Sequence, residues 1–493
     1  MLPSIAAFIR EHKLLLTIAV LTAIVRIPTL FEPLWYGDEA IYLTIGQQIL
    51  RGDVLYVEVF DHKPPGIYYL TAASLALFGH SVAAIKVMLL GWSLATLFAL
   101  YFLARRLLDG RAAALAVAIL SLLVTPTWLE GDIFGSEILM ILTTCLGILL
   151  GLRHRPFLAG ICFGLSLLFK VPAIFDFGAF FVFVALGVEK GGERGTLSQL
   201  GRLTAGLLAP VLVTVAYFAA EGALPEYFES AFVYNIDYTG SGNDLVFEHG
   251  RMVLNAVPAI LLVIALAVPA LRRWRTGEGS TPDGFQFMLL WLVFSFYGVL
   301  LGGRPYEHYL IQVAPAFSLL AAFALTQGDV RRYVSAVALL AVAAVTVERD
   351  FDLDRKFYIN YYPNFVEYAS GAKSFDDYAT YLDRFTAGNY RLSSFLREDS
   401  AGEDTSIYLY SDQPSIYFRT RMDPASKYVA YYHIAWDDEK KRTTAEEIAD
   451  ARPLYIVTED PRISPFPQLE QMIAEDYRFV RSEGILQVYK RVE

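Results

Sequence analysis

Residues 14–40 read LLLTIAVLTAIVRIPTLFEPLWYGDEA, an apolar run of membrane-spanning length followed at once by two adjacent carboxylates, Asp38 and Glu39. A helix crosses a bilayer core with about 20 mostly apolar residues. Uncharged or nearly uncharged runs of this kind recur from Leu14 to about Val347. Of the 493 residues, 55% are hydrophobic and only 19% charged. Soluble core helices rarely run so long, so the sequence predicts an α-helical polytopic membrane protein. Arg10 and Lys13 flank the first run, and no A-x-A cleavage site is evident; it reads as a retained span.

Other classes are disfavoured. The net charge is −10 and no long basic stripe occurs, which argues against a nucleic-acid partner. Cys145 and Cys162 both fall inside predicted spans and read as small packing residues.

Spans are expected at about 14–31, 82–104, 112–129, 134–152, 156–170, 172–188, 202–220, 252–271, 286–302, 307–326 and 332–347, about eleven in all. With the N-terminus inside, every inner loop is basic: Arg105, Arg106 and Arg111; Arg153 and Arg155; Lys190, Arg194 and Arg202; Arg272, Arg273 and Arg275; Arg331 and Arg332. That is the positive-inside pattern. Residues 1–347 then form a membrane domain with a first outer loop, 32–81, and a later one, 221–251. Residues 348–493 lie outside. The short apolar segment 64–79 is expected to lie along the membrane, opening at Pro64-Pro65. The polar, chemically capable residues thus share one face. Transport needs ionisable groups or broken helices near mid-membrane; Lys170 and Asp176 sit near the outer ends of their spans.

After Val347 the chain turns polar and tyrosine-rich. Strand-like runs at Ser406–Tyr410, Tyr428–Tyr432, Leu454–Val457 and Ile485–Tyr489 alternate with helix-like 443–451 and 467–475. The pattern predicts a small α/β domain that caps the membrane part or contacts an acceptor. It holds no phosphate-cradling glycine loop and no metal-ligand spacing.

Four outer positions carry chemistry, each with a plainer alternative. Asp38 and Glu39 sit where charge is unfavourable unless paired or functional, yet Asp38 also suits a helix N-cap before Ile41–Leu50. Lys63, in Asp61-His62-Lys63-Pro64-Pro65-Gly66, is a phosphate site beside a helix start or a snorkelling interfacial lysine. Glu130, Asp132 and Glu137 crowd one outer turn, where Glu137 also suits a helix dipole. Arg304, before Tyr306, Glu307 and His308, breaks the charge rule; a lipid phosphate explains it, as does an Arg304–Glu307 pair.

In their order, G-D-E-A, D-H-K-P-P-G, an acidic outer turn and a late R-x-Y-x-H-Y…P helix resemble the GT-C glycosyltransferases. The likeness is narrowest to the branch of the protein O-mannosyltransferases and the lipid A aminoarabinose transferase (families 39 and 83). It covers the membrane region, and Ser411–Tyr417 looks like the periplasmic cap of such proteins. The resemblance implies Asp38 as general base, with Glu39 behind it. It implies Lys63 and Arg304 at the donor phosphate, Glu137 in the same cavity with Asp132 as substitute, and His62, Tyr306 and His308 against the substrate. The aminoarabinose transferase carries Glu before its Lys, where this chain has His62. No D-x-D occurs in the first loop, so no catalytic divalent metal and no cofactor are expected.

The expected reaction is a single, inverting displacement that moves a sugar from a polyprenyl phosphate to a hydroxyl of a lipid, glycan or protein acceptor. It would run at the outer face of a cell (inner) membrane, among membrane lipids. Tyr227, Tyr234, Tyr238 and Gly240-Ser241-Gly242 form either a lid over the sugar or a plain connector. The alternative is a transporter or polymerase of lipid-linked glycans.

Overall fold

The computed structural model describes residues 5–187, 192–235, 284–301, 306–326, 333–334, 337–338, 340–341, 344, 355–401, 405–460 and 463–492. Arg304, Tyr238, Gly240–Gly242, the expected span 252–271 and most of 332–347 lie outside the described residues. So do Lys190, Arg272, Arg273, Arg275, Arg331 and Arg332.

In chain order the first helices are α1 (Ile5–Glu11), α2 (Lys13–Val25), α3 (Gly37–Arg51), α4 (Gly66–Phe78), α5 (Val82–Leu107), α6 (Gly110–Val124), α7 (Ser136–Leu152) and α8 (Pro156–Phe169). There follow α9 (Ala173–Leu186), α10 (Gly192–Ala220), α11 (Leu224–Phe228), α12 (Gly284–Leu301) and α13 (Ala314–Thr326). Among the described residues, three stretches, Lys13–Phe31, Val82–Leu107 and Gly195–Ala220, are long and apolar enough to cross a membrane by length and composition. The other apolar helices run 10–17 residues, because proline and polar breaks interrupt them. Lys170-Val171-Pro172, for example, separates α8 from α9.

The chain divides into two compact units. The first holds Met1–Thr29, Val87–Tyr217 and Tyr234–Ile359. Its helices pack through small and weakly polar residues, as membrane helices do in the absence of a hydrophobic drive between them. The Thr143 and Ser166 hydroxyls meet at 2.7 Å between α7 and α8, and those of Thr22 and Ser121 at 2.7 Å between α2 and α6. A Cβ at Gly160 of α8 would fall on the Leu203 carbonyl oxygen, and one at Gly206 of α10 on that of Phe157. The two backbones therefore touch. At the end of α2, buried Arg26 donates to the carbonyls of Val124 (2.6 Å) and Gly131 (2.8 Å), tying down the turn that carries Glu130 and Asp132.

The second unit joins Leu30–Lys86 and Phe218–Val233 to Asn360–Glu493. Its helices include the part of α14 (Arg355–Ala369) from Asn360 on, α15 (Phe375–Leu382), α16 (Thr386–Asp399), α17 (Ser415–Thr420), α18 (Asp438–Ala451) and α19 (Pro467–Asp476). Its strands are β1 (Ser406–Tyr410), β2 (Asp423–Pro424), β3 (Tyr455–Glu459), β4 (Tyr477–Glu483) and β5 (Leu486–Arg491). They form one mixed sheet in the order β2-β1-β3-β5-β4, parallel from β2 to β3 and antiparallel beyond. Ile407, Leu409, Ile456 and Val457 fill its core. Two buried tyrosines have partnered hydroxyls, as most buried polar groups do: Tyr417 accepts from the Leu409 amide at 2.9 Å, and Tyr477 donates to the Pro453 carbonyl at 2.8 Å.

Three of the four expected strands are strands here. Tyr428–Tyr432 is not: Tyr428 makes one isolated bridge with Phe60, and a 3-10 turn follows at Tyr431–His433. Aromatic residues there suit a half-buried pleat, but the only rung is offered by a single residue of the first loop. Segment 64–79 forms α4, preceded by Pro65 at the N-cap, and packs on α3 with Gly46 against Thr71 and Ala72.

Candidate active site

In the second unit, α3 begins at Gly37 with Tyr36 as an N-cap whose side chain makes no capping bond. Asp38 is therefore not the cap; it lies inside the first turn, at the positive end of the helix dipole. Tyr42, one turn on, donates its hydroxyl to Asp38 Oδ2 at 2.9 Å, and Lys63 Nζ stands 3.2 Å from the same oxygen. The Asp38 side chain keeps 35% of its exposure and that of Lys63 20%, so the pair is reachable.

Lys63 is held from several sides. Its carbonyl accepts from the Tyr56 hydroxyl at 2.8 Å, its amide donates to Tyr68 at 3.2 Å, and its ammonium lies 3.5 Å from Asp61 Oδ2. The Asp61 carboxylate is fully buried. Tyr68 donates to Oδ2 at 2.7 Å; the His62 amide donates to Oδ1 at 2.8 Å. His62 Nδ1 and His433 Nε2 stand 3.0 and 3.2 Å from Oδ1. Burial works to raise the Asp61 pKa. The charges of Lys63 and His62, with hydrogen bonds from His433 and His62, outweigh it and hold the group well below the usual range. His433 is pushed down to about 4, chiefly by burial and against its hydrogen bond with Asp61.

Glu39 faces the opposite way. Its fully buried carboxylate lies 2.9 Å from Lys86 Nζ, which also reaches Glu32 at 2.9 Å. Glu32 takes further bonds from the Trp35 indole at 3.2 Å and from the Tyr361 hydroxyl. Neighbouring carboxylates on one helical turn thus have different surroundings: Asp38 beside a reachable cation, Glu39 inside a buried ion cluster.

In the first unit a second polar cluster forms at the start of α7. Glu137 pairs with Lys170, which closes α8, and lies 3.7 Å from His308 Nε2. His308 Nδ1 meets Glu130 at 2.6 Å. Glu130 adopts a left-handed backbone, φ 53°, unusual for a residue with a side chain and frequent at functional sites. The Lys170 ammonium sits 3.7 Å above the Tyr309 ring, and the exposed Tyr306 stacks on His308. Asp132 is buried in the same turn.

Sequence reasoning passed over Asp61, Glu32, Lys86, Lys170 and His433 as site components. Lys86 carried a signal, being a cation four residues into an apolar span. Lys170 carried the same one. His433 carried none, since nothing local marks a residue whose partner lies in the first loop.

A helical membrane unit and a small mixed sheet make up the described fold, and Asp38 and Lys63 pair on the loop side of the second unit. By sequence, residues 62–218 match the model of the family described as dolichyl-phosphate-mannose-protein mannosyltransferase. No curated protein matches the chain. Among solved structures, ArnT from Cupriavidus metallidurans bound to undecaprenyl phosphate is similar over 98% of both chains, with TM-score 0.61 and 16% identity. Its apo state is similar over 97% of both, with TM-score 0.59 and 16% identity. The Archaeoglobus fulgidus oligosaccharyltransferase overlaps more loosely, with TM-score 0.47 and 13% identity, over 99% of this chain and 75% of that one.

Proposed function

We propose that this protein is an integral-membrane, inverting glycosyltransferase that moves a sugar from a polyprenyl-phosphate donor to an acceptor hydroxyl. The Asp38–Lys63 pair carries the reading: a partly exposed carboxylate 3.2 Å from a reachable ammonium. The undecaprenyl phosphate bound by the similar ArnT structure supports the choice of lipid.

The charges dictate the roles. A polyprenyl-phosphate sugar is a phosphodiester with one negative charge, and the departing lipid phosphate carries two. As the acceptor oxygen attacks the anomeric carbon, the bond from that carbon to the phosphate oxygen breaks and its electron pair stays on the phosphate. Lys63 meets the growing charge, as a preorganised cation does most effectively where water is excluded. The acceptor proton passes to Asp38, which is free to take it once Lys63 turns to the phosphate. A single displacement inverts the anomeric centre. We assign Glu137, with Lys170 and His308 around it, to positioning the sugar or acceptor, and Glu39 to holding the first turn of α3 through Lys86. The lipid, glycan or protein acceptor is a hydroxyl compound. About eleven spans with the N-terminus inside put the catalytic loop and residues 348–493 on the periplasmic or outer face of the cell membrane.

The test is transfer from a panel of labelled polyprenyl-phosphate sugars by purified protein in detergent, wild type against Asp38→Asn. Transfer lost in the variant, with the product anomer inverted, supports the reading. Equal turnover by both proteins removes Asp38 as base. Net movement of the intact lipid-linked glycan across vesicles, without sugar transfer, favours a transporter instead.

A further inference from the structure

Helix α6 ends just before the turn that carries Glu130 and Asp132, and its other end, about 22 Å away for a helix of this length, has no part in the reaction above. There the start of α6, the last turn of α5 and the junction of α1 with α2 surround an open cavity of about 450 Å³. That volume falls within the roughly 300–1,000 Å³ of small-molecule sites. Each element lends one cation to the lining: Lys13, Arg105 and Arg111.

The lining suits an anion that carries an apolar tail. All three cations are exposed, and among the described residues no carboxylate pairs with any of them. Of the two acids in the wall, Asp109 is occupied with the helix start, where its Oδ1 accepts the Arg111 and Ala112 amides at 2.8 and 2.9 Å. Glu11, 59% exposed, stands 4.0 Å from His12 Nε2. Arg105 folds over Gly110, where a Cβ would lie 2.9 Å from Nη1, and so brings its charge to the start of α6. Buried Tyr101 adds a phenol whose hydroxyl meets His12 Nδ1 at 3.3 Å. Leu14, 52% exposed, and Ala114 supply an apolar wall. The positive-inside rule accounts for basic residues at this end of the helices but not for their convergence. Arg106, next in sequence and also exposed, stays outside the lining.

We propose that this cavity binds the phosphate headgroup of an anionic glycerophospholipid, with the phosphate among Lys13, Arg105 and Arg111 and the apolar tail beginning at Leu14 and Ala114. At its far end α6 is tied to α2 by Arg26, which donates to the Val124 carbonyl at 2.6 Å. At this end like charges converge, and a phosphate offsets their repulsion. The lipid therefore fastens α2, α5 and α6 together. The site stands whether or not the protein transfers a sugar.

The experiment is titration of delipidated full-length protein in detergent with phosphatidylglycerol, phosphatidylcholine or inorganic phosphate, read by native mass spectrometry and melting temperature. One retained phosphatidylglycerol and a raised melting temperature are expected, with neither effect from phosphatidylcholine. Arg105→Ala and Arg111→Ala should each weaken binding about five-fold, the worth of one cation near an anionic lipid surface. Lys13→Ala reads the same loss should either variant fail to fold. Arg106→Ala removes an equal charge beside the cavity and should bind as wild type does. Equal weakening by Arg106→Ala would reduce the site to general surface attraction and overturn it. Phosphatidylcholine binding as well as phosphatidylglycerol would overturn it too, and stabilisation by inorganic phosphate alone would replace the lipid with a soluble anion.

Discussion

At the scale of single residues, adjacent positions on α3 separate chemistry from structure. Asp38→Asn keeps shape but cannot accept a proton, so transfer should fall at least about 100-fold, the lower bound for general-base catalysis. Its elution profile and melting temperature should match wild type; a melting point lowered as much as the activity would recast Asp38 as structural. Glu39→Gln should behave in the opposite way. It strips one carboxylate from a buried ammonium that keeps Glu32 at 2.9 Å, so the loss should fall short of the about 3–5 kcal/mol that a fully broken buried pair costs. Differential scanning fluorimetry in detergent reads the loss directly, and an unshifted melting point would contradict the buried cluster. A third prediction concerns His80, between α4 and α5, whose Nε2 lies 2.6 Å from Gln47 Oε1 and whose ring stacks on Phe418. Burial, helped by Arg421, lowers its pKa to about 4. The folded state then binds the proton less well than the unfolded chain. The stability this contributes is complete above the unfolded value of about 6.5 and declines as pH falls toward 4. Melting temperature against pH should flatten across that window in His80→Gln.

At the scale of elements, helix contacts in the first unit are set by close backbone approach as much as by apolar bulk. Gly160 and Gly164 lie on one face of α8, one turn apart, against Gly206 and the Leu207 carbonyl of α10. Gly206→Leu must push the two helices apart, because the atom it meets is backbone and has no rotamer to yield. Loss of monodisperse protein is expected, while Gly201→Leu on the same helix meets nothing within 4 Å and should be tolerated. Equal behaviour of the two variants would mean that α8 and α10 do not pack closely. Within the second unit, α3 is fastened along its length. Glu39 is anchored to Lys86 at its start, and Arg51 pairs with Asp423 of β2 at its end. The Leu34 amide, just before the helix, donates to the Tyr390 hydroxyl of α16 at 2.9 Å. A helix carrying the proposed base in its first turn is thereby kept from rocking.

At the scale of the whole molecule, the membrane orientation proposed for the chain is open to a direct check. Cysteines placed at Arg106 and at Glu475, in a background lacking Cys145 and Cys162, should react with a membrane-impermeant maleimide from opposite sides of intact cells. Labelling of both from outside would reverse the parity of the spans. The second unit also shows why the loop between α3 and α4 does not fold as a local motif: the Phe60 amide donates to the Lys427 carbonyl at 2.8 Å, and Phe60 packs on Tyr428 and His433. The C-terminal residues are its other half.

The sequence by itself determined the helical membrane class, the approximate limits of most described helices and the loop segments where charge gathers. Each of these depends on local hydrophobic pattern, which is written in consecutive residues. It also marked Asp38, Lys63 and Glu137, because an ionisable group beside an apolar span is conspicuous. It left the role of each neighbour open, since an N-cap and a base look alike in a string of letters. Only the tertiary structure decided that Asp38 meets Lys63 while Glu39 turns to Lys86, that Glu137 is held by Lys170, and that His433 reaches Asp61. Ion pairs form between atoms a few ångströms apart in space, and chain folding, not sequence spacing, sets that distance.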